Sequence, residues 1–219
     1  DLSTTYRISG NLEKADELAN ESSAVSQSLN SSENIKYAKS LSNQAAVFAS
    51  NGNYLRAIEH EQKAYNIFKN RNDKFNMAQS LGHLATFLSN DGRREQAFET
   101  AKKGLDIFAS QKDTSVYYAQ ALNNTAILYF NAEQYQTATI YGEKARRIYE
   151  HLGDTATAIF ARILANNALF ALVNDRLDEA VATAQQALEL QTRILRDDHP
   201  DHVPLLYNLA VYESKAGLK

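Results

Sequence analysis

Residues 41–68 read LSNQAAVFASNGNYLRAIEHEQKAYNIF, and this stretch decides the fold. Apolar residues recur in it at helical spacing on both sides of a short polar turn, residues 51–54. The stripe before the turn contains Leu41, Ala45 and Phe48, and the stripe after it contains Ala57, Ala64, Ile67 and Phe68. Two amphipathic helices joined by a short turn bury their apolar stripes against each other as an antiparallel pair. The stretch therefore predicts a helical hairpin.

Near copies of this hairpin recur along the chain at an almost constant interval. The equivalent turn positions are occupied by Gly10, Gly52, Gly92, Glu133, Asp175 and Gly217. These positions are separated by 42, 40, 41, 42 and 42 residues. A constant period of this length is typical of helix pairs that stack on one another. We therefore predict an all-α array of about 11 helices in about five pairs.

The repeats account for the whole chain as a single array, residues 1–219. The predicted units are a partial repeat 1–32, four complete repeats 33–72, 73–112, 113–153 and 154–197, and a partial repeat 198–219. Both ends fall inside repeats, and the first residue is Asp1 rather than methionine. We therefore expect this chain to be a piece excised from a larger protein.

Small and large residues alternate in the repeats in a way that predicts how the helices pack. Alanine recurs at one position of the first helices (Ala45, Ala85, Ala126, Ala168, Ala210) and at one position of the second helices (Ala15, Ala57, Ala97, Ala138, Ala180). A larger side chain at such a crossing costs about 1–3 kcal/mol. The residues expected to fill the space between the helices are Phe48, Leu88, Tyr129, Ile67, Ile107, Ile148 and Leu190.

These residues resemble the pattern of the tetratricopeptide repeat, with its large apolar residues in the first helix and small residues in both helices. In one repeat the matching residues are Leu81, Leu84, Ala85, Leu88, Ala97 and Gly104. The resemblance covers essentially the whole chain. It implies a right-handed superhelical solenoid of antiparallel helix pairs, with a concave face that binds proteins or peptides.

The period is longer than the standard repeat of about 34 residues. In this respect the chain resembles the repeats of kinesin light chains and of many bacterial regulators. Residues 198–201 (DHPD) are similar to the link between kinesin light chain repeats, and residues 149–154 (YEHLGD) are similar to the link in bacterial signalling arrays.

The composition argues against several classes of function. The net charge is −3, so there is no basic surplus for binding nucleic acid. There is no cysteine, which excludes disulfides and thiolate chemistry and is compatible with the cytoplasm, which we favour, or the periplasm. No apolar run approaches the roughly 18 residues of a membrane span, so we expect no membrane insertion of this piece.

No constellation of catalytic or metal-binding residues stands out, and we predict neither an enzyme, a cofactor nor a metal site. The sequence from His60 begins like the helix of a zinc protease, but Ala64 stands where the second histidine is needed. His199 and His202 lie among aspartates, and these residues are interpreted as the capped start of a helix that contains a proline.

One equivalent position of the first helices is polar in every repeat, which helix packing does not explain. The residue two positions before the recurrent alanine is Asn43, His83, Asn124, Asn166 and Asn208. Asparagine is a poor residue for a helix interior, because its side chain competes for backbone hydrogen bonds. Either these amides bond locally within the repeats, or they form a ladder that bonds the backbone of an extended peptide.

The family's helix geometry implies further residues on the concave face. Those that we predict to contact a partner are Asn123, Phe130, Arg162, Leu169 and Tyr207, with Phe130 as the leading apolar anchor. The paired lysine and asparagine clamp of chaperone-binding members is not reproduced, since Ser42 and Gly82 stand where a lysine would be useful. We therefore do not expect recognition of a chaperone C-terminal carboxylate.

The predicted function is that of a scaffold module in a larger signalling or regulatory protein, which binds an extended peptide or a partner protein. Two alternatives remain open. The chain is a peptide-sensing domain that controls an attached output domain, or it is a module that self-associates through its uncapped ends.

Overall fold

The computed structural model describes residues 13, 14, 17, 18, 20, 21, 35–153, 155–195 and 202–217. Regular structure in these ranges is α-helical throughout: α1 (Ile35–Ser50), α2 (Tyr54–Asn70), α3 (Lys74–Asn90), α4 (Arg94–Ser110), α5 (Val116–Asn131), α6 (Tyr135–Leu152), α7 (Ala158–Val173), α8 (Leu177–Ile194) and α9 (His202–Lys215). In these ranges, no helix has the length and apolar character needed to cross a membrane. Gly10, Ala15 and His199 lie outside the described residues.

The helices are distributed over two compact units, Asp1–Lys112 and Asp113–Lys219. In the first unit, α1 packs against α2, α2 against α3 and α3 against α4. In the second unit, each helix from α5 to α8 packs against the next one, and α5 also contacts α7. The predicted all-α array of antiparallel helix pairs is confirmed. The unit boundary coincides with the predicted boundary between two repeats, while the single array of residues 1–219 and its handedness stay predictions.

Side-chain caps start four of the helices. Asn53, Asp73, Ser115 and Thr157 each accept a hydrogen bond from the backbone N–H three residues further on. Each of these bonds satisfies one of the N–H groups that a helix start leaves unpaired. The helix boundaries are therefore encoded locally.

The turn within each of the four described pairs, and the turn after α9, has one residue in the left-handed conformation. The φ angles are +74° at Gly52, +82° at Gly92, +60° at Glu133, +56° at Asp175 and +73° at Gly217. At Glu133, the next amide (Gln134 N) donates to the carbonyl oxygen of Tyr129 at 2.9 Å, which closes a Schellman turn. The equivalence of the five positions inferred from the spacing is confirmed for these turns.

Two of these turns have a side chain where the others have glycine, and this leads to a prediction. Left-handed backbone costs a non-glycine residue about 1–2 kcal/mol, and Asp tolerates it better than Glu. We expect Glu133→Gly to raise the free energy of unfolding by up to about 1 kcal/mol, and Asp175→Gly to raise it by less. Urea denaturation followed by circular dichroism measures both. A loss of stability in Glu133→Gly would contradict the argument.

The recurrent alanines lie at the helix crossings, with one exception. In the described second helices, Ala57, Ala97, Ala138 and Ala180 are almost completely buried, and so are Ala45, Ala85, Ala126 and Ala168 in the first helices. Ala210 on α9 is exposed, and the prediction for this residue is wrong. Within the described ranges α9 packs on α8, and no later helix covers the side of α9 that carries Ala210.

Of the large core residues predicted in the second helices, Ile67 and Leu190 are buried as predicted, whereas two others are displaced by one position. Phe108 and Tyr149 are fully buried, whereas the predicted core residues Ile107 and Ile148 before them are only half-buried. Adjacent residues differ by about 100° around a helix axis, so both flank the same apolar stripe and the sequence pattern does not distinguish them. The equivalent residue of the next repeat is Gln191, whose Oε1 is buried without a hydrogen-bond partner in the described part of the chain.

Gly142 allows a close approach between α6 and α7. A Cβ atom at this position would lie 2.7 Å from Asn167 Oδ1 and 2.8 Å from two ring carbons of Phe170. Both side chains are held in place, because Phe170 is buried and Asn167 Nδ2 donates to the carbonyl oxygens of Gly142 (3.2 Å) and Ile163 (2.9 Å). The absence of a side chain at residue 142 is therefore part of this packing.

Candidate functional site

The predicted contact residues all lie on the first helices of the pairs. We call the side that these residues line the first-helix face, on α1 and α3 in the first unit and on α5, α7 and α9 in the second unit. His83, Arg162, Tyr207 and Asn208 are exposed, while Asn43, Asn124, Phe130, Asn166 and Leu169 are half-buried. Asn123 is buried, with 1% of its surface exposed. Most of the predicted residues therefore retain surface for a partner.

Two of the asparagines bond to each other in the second unit. Asn166 Nδ2 on α7 donates to Asn123 Oδ1 on α5 at 3.0 Å. The bond joins the first helices of two successive repeats, 43 residues apart in the chain. It gives these two residues a structural role and uses one of the two N–H groups of the Asn166 amide. The amide is thereby oriented on the first-helix face.

Phe130 is partly built into the core of the second unit. Its ring centroid lies 5.5 Å from that of Tyr135 and 5.7 Å from that of Phe170. These are ordinary aromatic packing distances. The ring is half-buried, so part of it is held in place and the remainder is open to a partner.

The start of α9 carries exposed apolar side chains. Val203, Leu206 and Tyr207 are 65%, 50% and 70% exposed. Tyr207 was predicted from the family geometry, whereas Val203 and Leu206 were not. The exposure of these side chains depends on which sides of α9 are covered by neighbouring helices. The sequence around them does not show which sides these are.

The first unit contains a buried carboxyl group that was not predicted. Glu61 on α2 is completely buried. Its Oε1 accepts a hydrogen bond from Ser42 Oγ on α1 at 3.1 Å and lies 3.5 Å from His83 Nδ1 on α3. A signal for it existed, because the equivalent residues of the other described second helices are Ala101, Gly142 and Ala184.

Of the histidines near candidate metal ligands in the sequence, only His60 and His202 lie in the described ranges. These ranges contain no group of three or more His, Asp or Glu side chains that could hold an ion. His202 is buried at the start of α9, and residues 197–201 lie outside the described residues. His60 Nδ1 lies 2.9 Å from the backbone oxygen of Arg56, on an ordinary helix surface.

Two described groups have displaced pKa values, and neither is among the predicted contact residues. A hydrogen bond and the charge of Lys63 lower the pKa of the exposed Glu59 carboxyl. Burial raises the pKa of the Tyr212 hydroxyl, which lies in the apolar cluster of α7, α8 and α9. The first-helix face thus presents amides and apolar side chains together with Arg162 and His83, a combination that suits binding.

Comparison with known proteins identifies the repeats. A family model described as "Tetratricopeptide repeat" matches residues 1–70 and 76–151, and a second model with that description matches residues 161–201. Comparison with the curated proteins gives no match.

Several solved structures share the fold. The chain is similar to BtubC (BKLC) from P. vanneervenii, with a TM-score of 0.81 and 20% identity over 94% of this chain and 84% of that one. It is also similar to a kinesin light chain-type protein with nearly identical TPR-like repeats from Podosopora anserina, with a TM-score of 0.66 and 19% identity over 88% of this chain and 92% of that one.

A third similar structure is the STAND protein PH0952 from Pyrococcus horikoshii, which has a tetratricopeptide repeat sensor. The TM-score is 0.71 and the identity 16%, over 100% of this chain and 33% of that one. At these identities the similarities show the fold.

Proposed function

Because this chain belongs to the tetratricopeptide repeat family, we propose that it is a protein-binding module that holds an extended segment of a partner on the first-helix face of its second unit. The single observation that carries this proposal is the Asn166–Asn123 hydrogen bond. Through this bond, Asn123 of one repeat fixes the orientation of the Asn166 amide in the next repeat. An amide that is already oriented loses less side-chain entropy when it bonds a peptide backbone.

The asparagines have the chemistry that a peptide backbone requires. Asn124, Asn166 and Asn208 occupy the same register of α5, α7 and α9, one in each repeat. Each primary amide offers both donors and an acceptor, which match the C=O and N–H groups of an extended chain. Such bonds contribute to affinity without selecting a side-chain sequence.

The amides need apolar anchors beside them. Each hydrogen bond contributes about 0.5–1.5 kcal/mol net, whereas association costs roughly 4–15 kcal/mol. Half-buried Phe130 and Leu169 and exposed Tyr207 are the apolar residues that we assign to this task. They lie on the same three helices as the amides, so one bound segment contacts both kinds of residue.

Removal of an amide tests the proposal. Peptides selected from a random library against the whole chain serve as probes, and fluorescence anisotropy gives their Kd values. We expect Asn124→Ala to raise the Kd at least tenfold, which is about 1.4 kcal/mol. The control is Gln186→Ala, which removes an exposed amide from the second helix α8 and should leave the Kd unchanged.

Circular dichroism verifies that both variants remain helical. If Asn124→Ala binds the selected peptides as tightly as the original chain, the asparagine ladder is not the binding surface. Asn166→Ala is a less direct probe, because it also removes the donor from buried Asn123 and thereby perturbs the packing.

The similarity to a STAND protein with a tetratricopeptide repeat sensor favours a second candidate, in which this chain senses a peptide and controls an attached output domain. Small-angle scattering with a selected peptide distinguishes the two candidates. A decrease in the radius of gyration on binding supports a sensor, and an unchanged profile at saturation supports a static scaffold.

A further inference from the structure

Glu61 is a buried acidic residue at a position where the fold itself does not need one. The position lies four residues after the recurrent alanine of the second helix, and the other described repeats have Ala101, Gly142 and Ala184 there. Those repeats pack their helices with a small residue at this position. Glu61 therefore has a role that helix packing does not explain.

The carboxyl group lies directly beneath the first-helix face of the first unit. Ser42, which donates to its Oε1, is half-buried. The His83 side chain, which is near the same oxygen, is 51% exposed. Both side chains that lie close to Oε1 therefore reach the protein surface. A ligand that reaches the carboxyl group has to displace the exposed side chain of His83, and exposed side chains change rotamer within nanoseconds.

The second carboxyl oxygen of Glu61 has unused capacity. Oε2 is buried and has no hydrogen-bond partner in the described part of the chain. A buried carboxyl oxygen without a donor is unfavourable, and a ligand that brings N–H groups removes this penalty. The missing group is therefore a hydrogen-bond donor, and a cationic donor satisfies the oxygen best.

The two exceptional residues of the first unit contact each other. Glu61 is the exception in the register of the described second helices, and His83 is the exception in the asparagine register of the first helices. They come from successive repeats and meet at 3.5 Å. This coincidence indicates that the two residues act together.

We propose that Glu61, Ser42 and His83 form a binding site for a guanidinium group, supplied by an arginine side chain of a partner protein. The planar guanidinium donates to Glu61 Oε2 and stacks on the imidazole of His83, two interactions that suit arginine better than lysine. This proposal rests on the proposed function, because the arginine belongs to a bound partner protein. The arginine site lies in the first unit, whereas the proposed peptide-binding face lies in the second unit.

A small probe tests this site without knowledge of the partner. N-acetyl-arginine amide is titrated into the whole chain, and nitrogen–proton NMR spectra follow the backbone amides of Ser42, Glu61 and His83. We expect the chemical shifts of these amides to change and to reach saturation at millimolar concentrations of the probe. N-acetyl-citrulline amide has a similar shape without the charge, and we expect it to bind at least tenfold more weakly.

Two substitutions assign the binding to the carboxylate. Glu61→Ala introduces the residue that other repeats have at this register, and Glu61→Gln keeps the size of the side chain. We expect the arginine probe to bind at least tenfold more weakly to either variant. The matched control is Glu59→Ala on the same helix, which removes an exposed carboxylate and should leave the titration unchanged.

Absence of saturable shifts with the arginine probe overturns the proposal, and so does equal binding to Glu61→Gln. Either result leaves the proposed function untouched, because that is tested with selected peptides at Asn124 in the second unit. Conversely, if Asn124→Ala does not weaken peptide binding, the proposed function fails, and the arginine titration still decides whether the Glu61 site binds a guanidinium group.

Discussion

Replacing Phe108 with alanine is expected to lower the free energy of unfolding by about 3–5 kcal/mol, the largest effect of any substitution considered for this chain. Phe108 on α4 has no exposed surface, and the ring of Phe75 meets it edge to face at 6.3 Å. Truncation removes apolar area from the core and leaves a cavity that rigid helices refill only in part. Urea denaturation followed by far-ultraviolet circular dichroism measures the loss.

Leu55→Ala is the matched control for this experiment. Leu55 lies on α2 of the same unit and is 61% exposed, so its truncation should change stability by less than about 0.5 kcal/mol. Comparable losses for Phe108→Ala and Leu55→Ala would show that residue 108 is not a core position. The comparison also tests the one-residue shift, since the sequence pattern alone favoured Ile107.

Gly142→Ala is expected to destabilise the chain by about 1–3 kcal/mol, although alanine is the better helix former. The added Cβ would lie within 2.8 Å of Asn167 and Phe170. Phe170 is buried and Asn167 is fixed by two hydrogen bonds, so relief requires the helices to move apart. The same denaturation experiment measures the effect.

Gly82→Ala should have the opposite sign. Gly82 also lies inside a helix, but a Cβ there meets no atom within 4 Å. Alanine restricts the unfolded chain and favours the helix, so we expect a gain of about 0.5–1 kcal/mol. If both glycine variants change stability in the same direction, close approach at residue 142 is not what sets the outcome.

The candidate site was predictable only in part. The asparagine register placed Asn124, Asn166 and Asn208 on first helices, because a constant period preserves the face of each helix. The bond from Asn166 to Asn123 was not predicted, since it joins residues 43 positions apart. No local sequence pattern links two polar residues on separate helices. Only the packing of α5 and α7 brings Asn166 Nδ2 within 3.0 Å of Asn123 Oδ1.

Glu61 shows more clearly which features the sequence predicts and which depend on the packing of the helices. In the sequence it is one of several glutamates on an amphipathic helix, beside His60, which suggested a zinc site that Ala64 excludes. Its burial and its contacts with Ser42 and His83 depend on three helices meeting at one point. Comparison of the repeats could have marked it, because alanine or glycine occupies the same register elsewhere.

The sequence by itself determined the helical hairpin, its period, the positions of the turns and the small residues at the described crossings other than Ala210. These features depend on helical periodicity, backbone conformation and caps, which act over a few residues. The tertiary structure alone decided that Phe108 is buried more deeply than Ile107, that Ala210 is exposed, and that Glu61 and Asn123 are buried with polar partners. Burial is set by which neighbouring helix covers a side chain, and that neighbour lies a full repeat or half a repeat away in the chain.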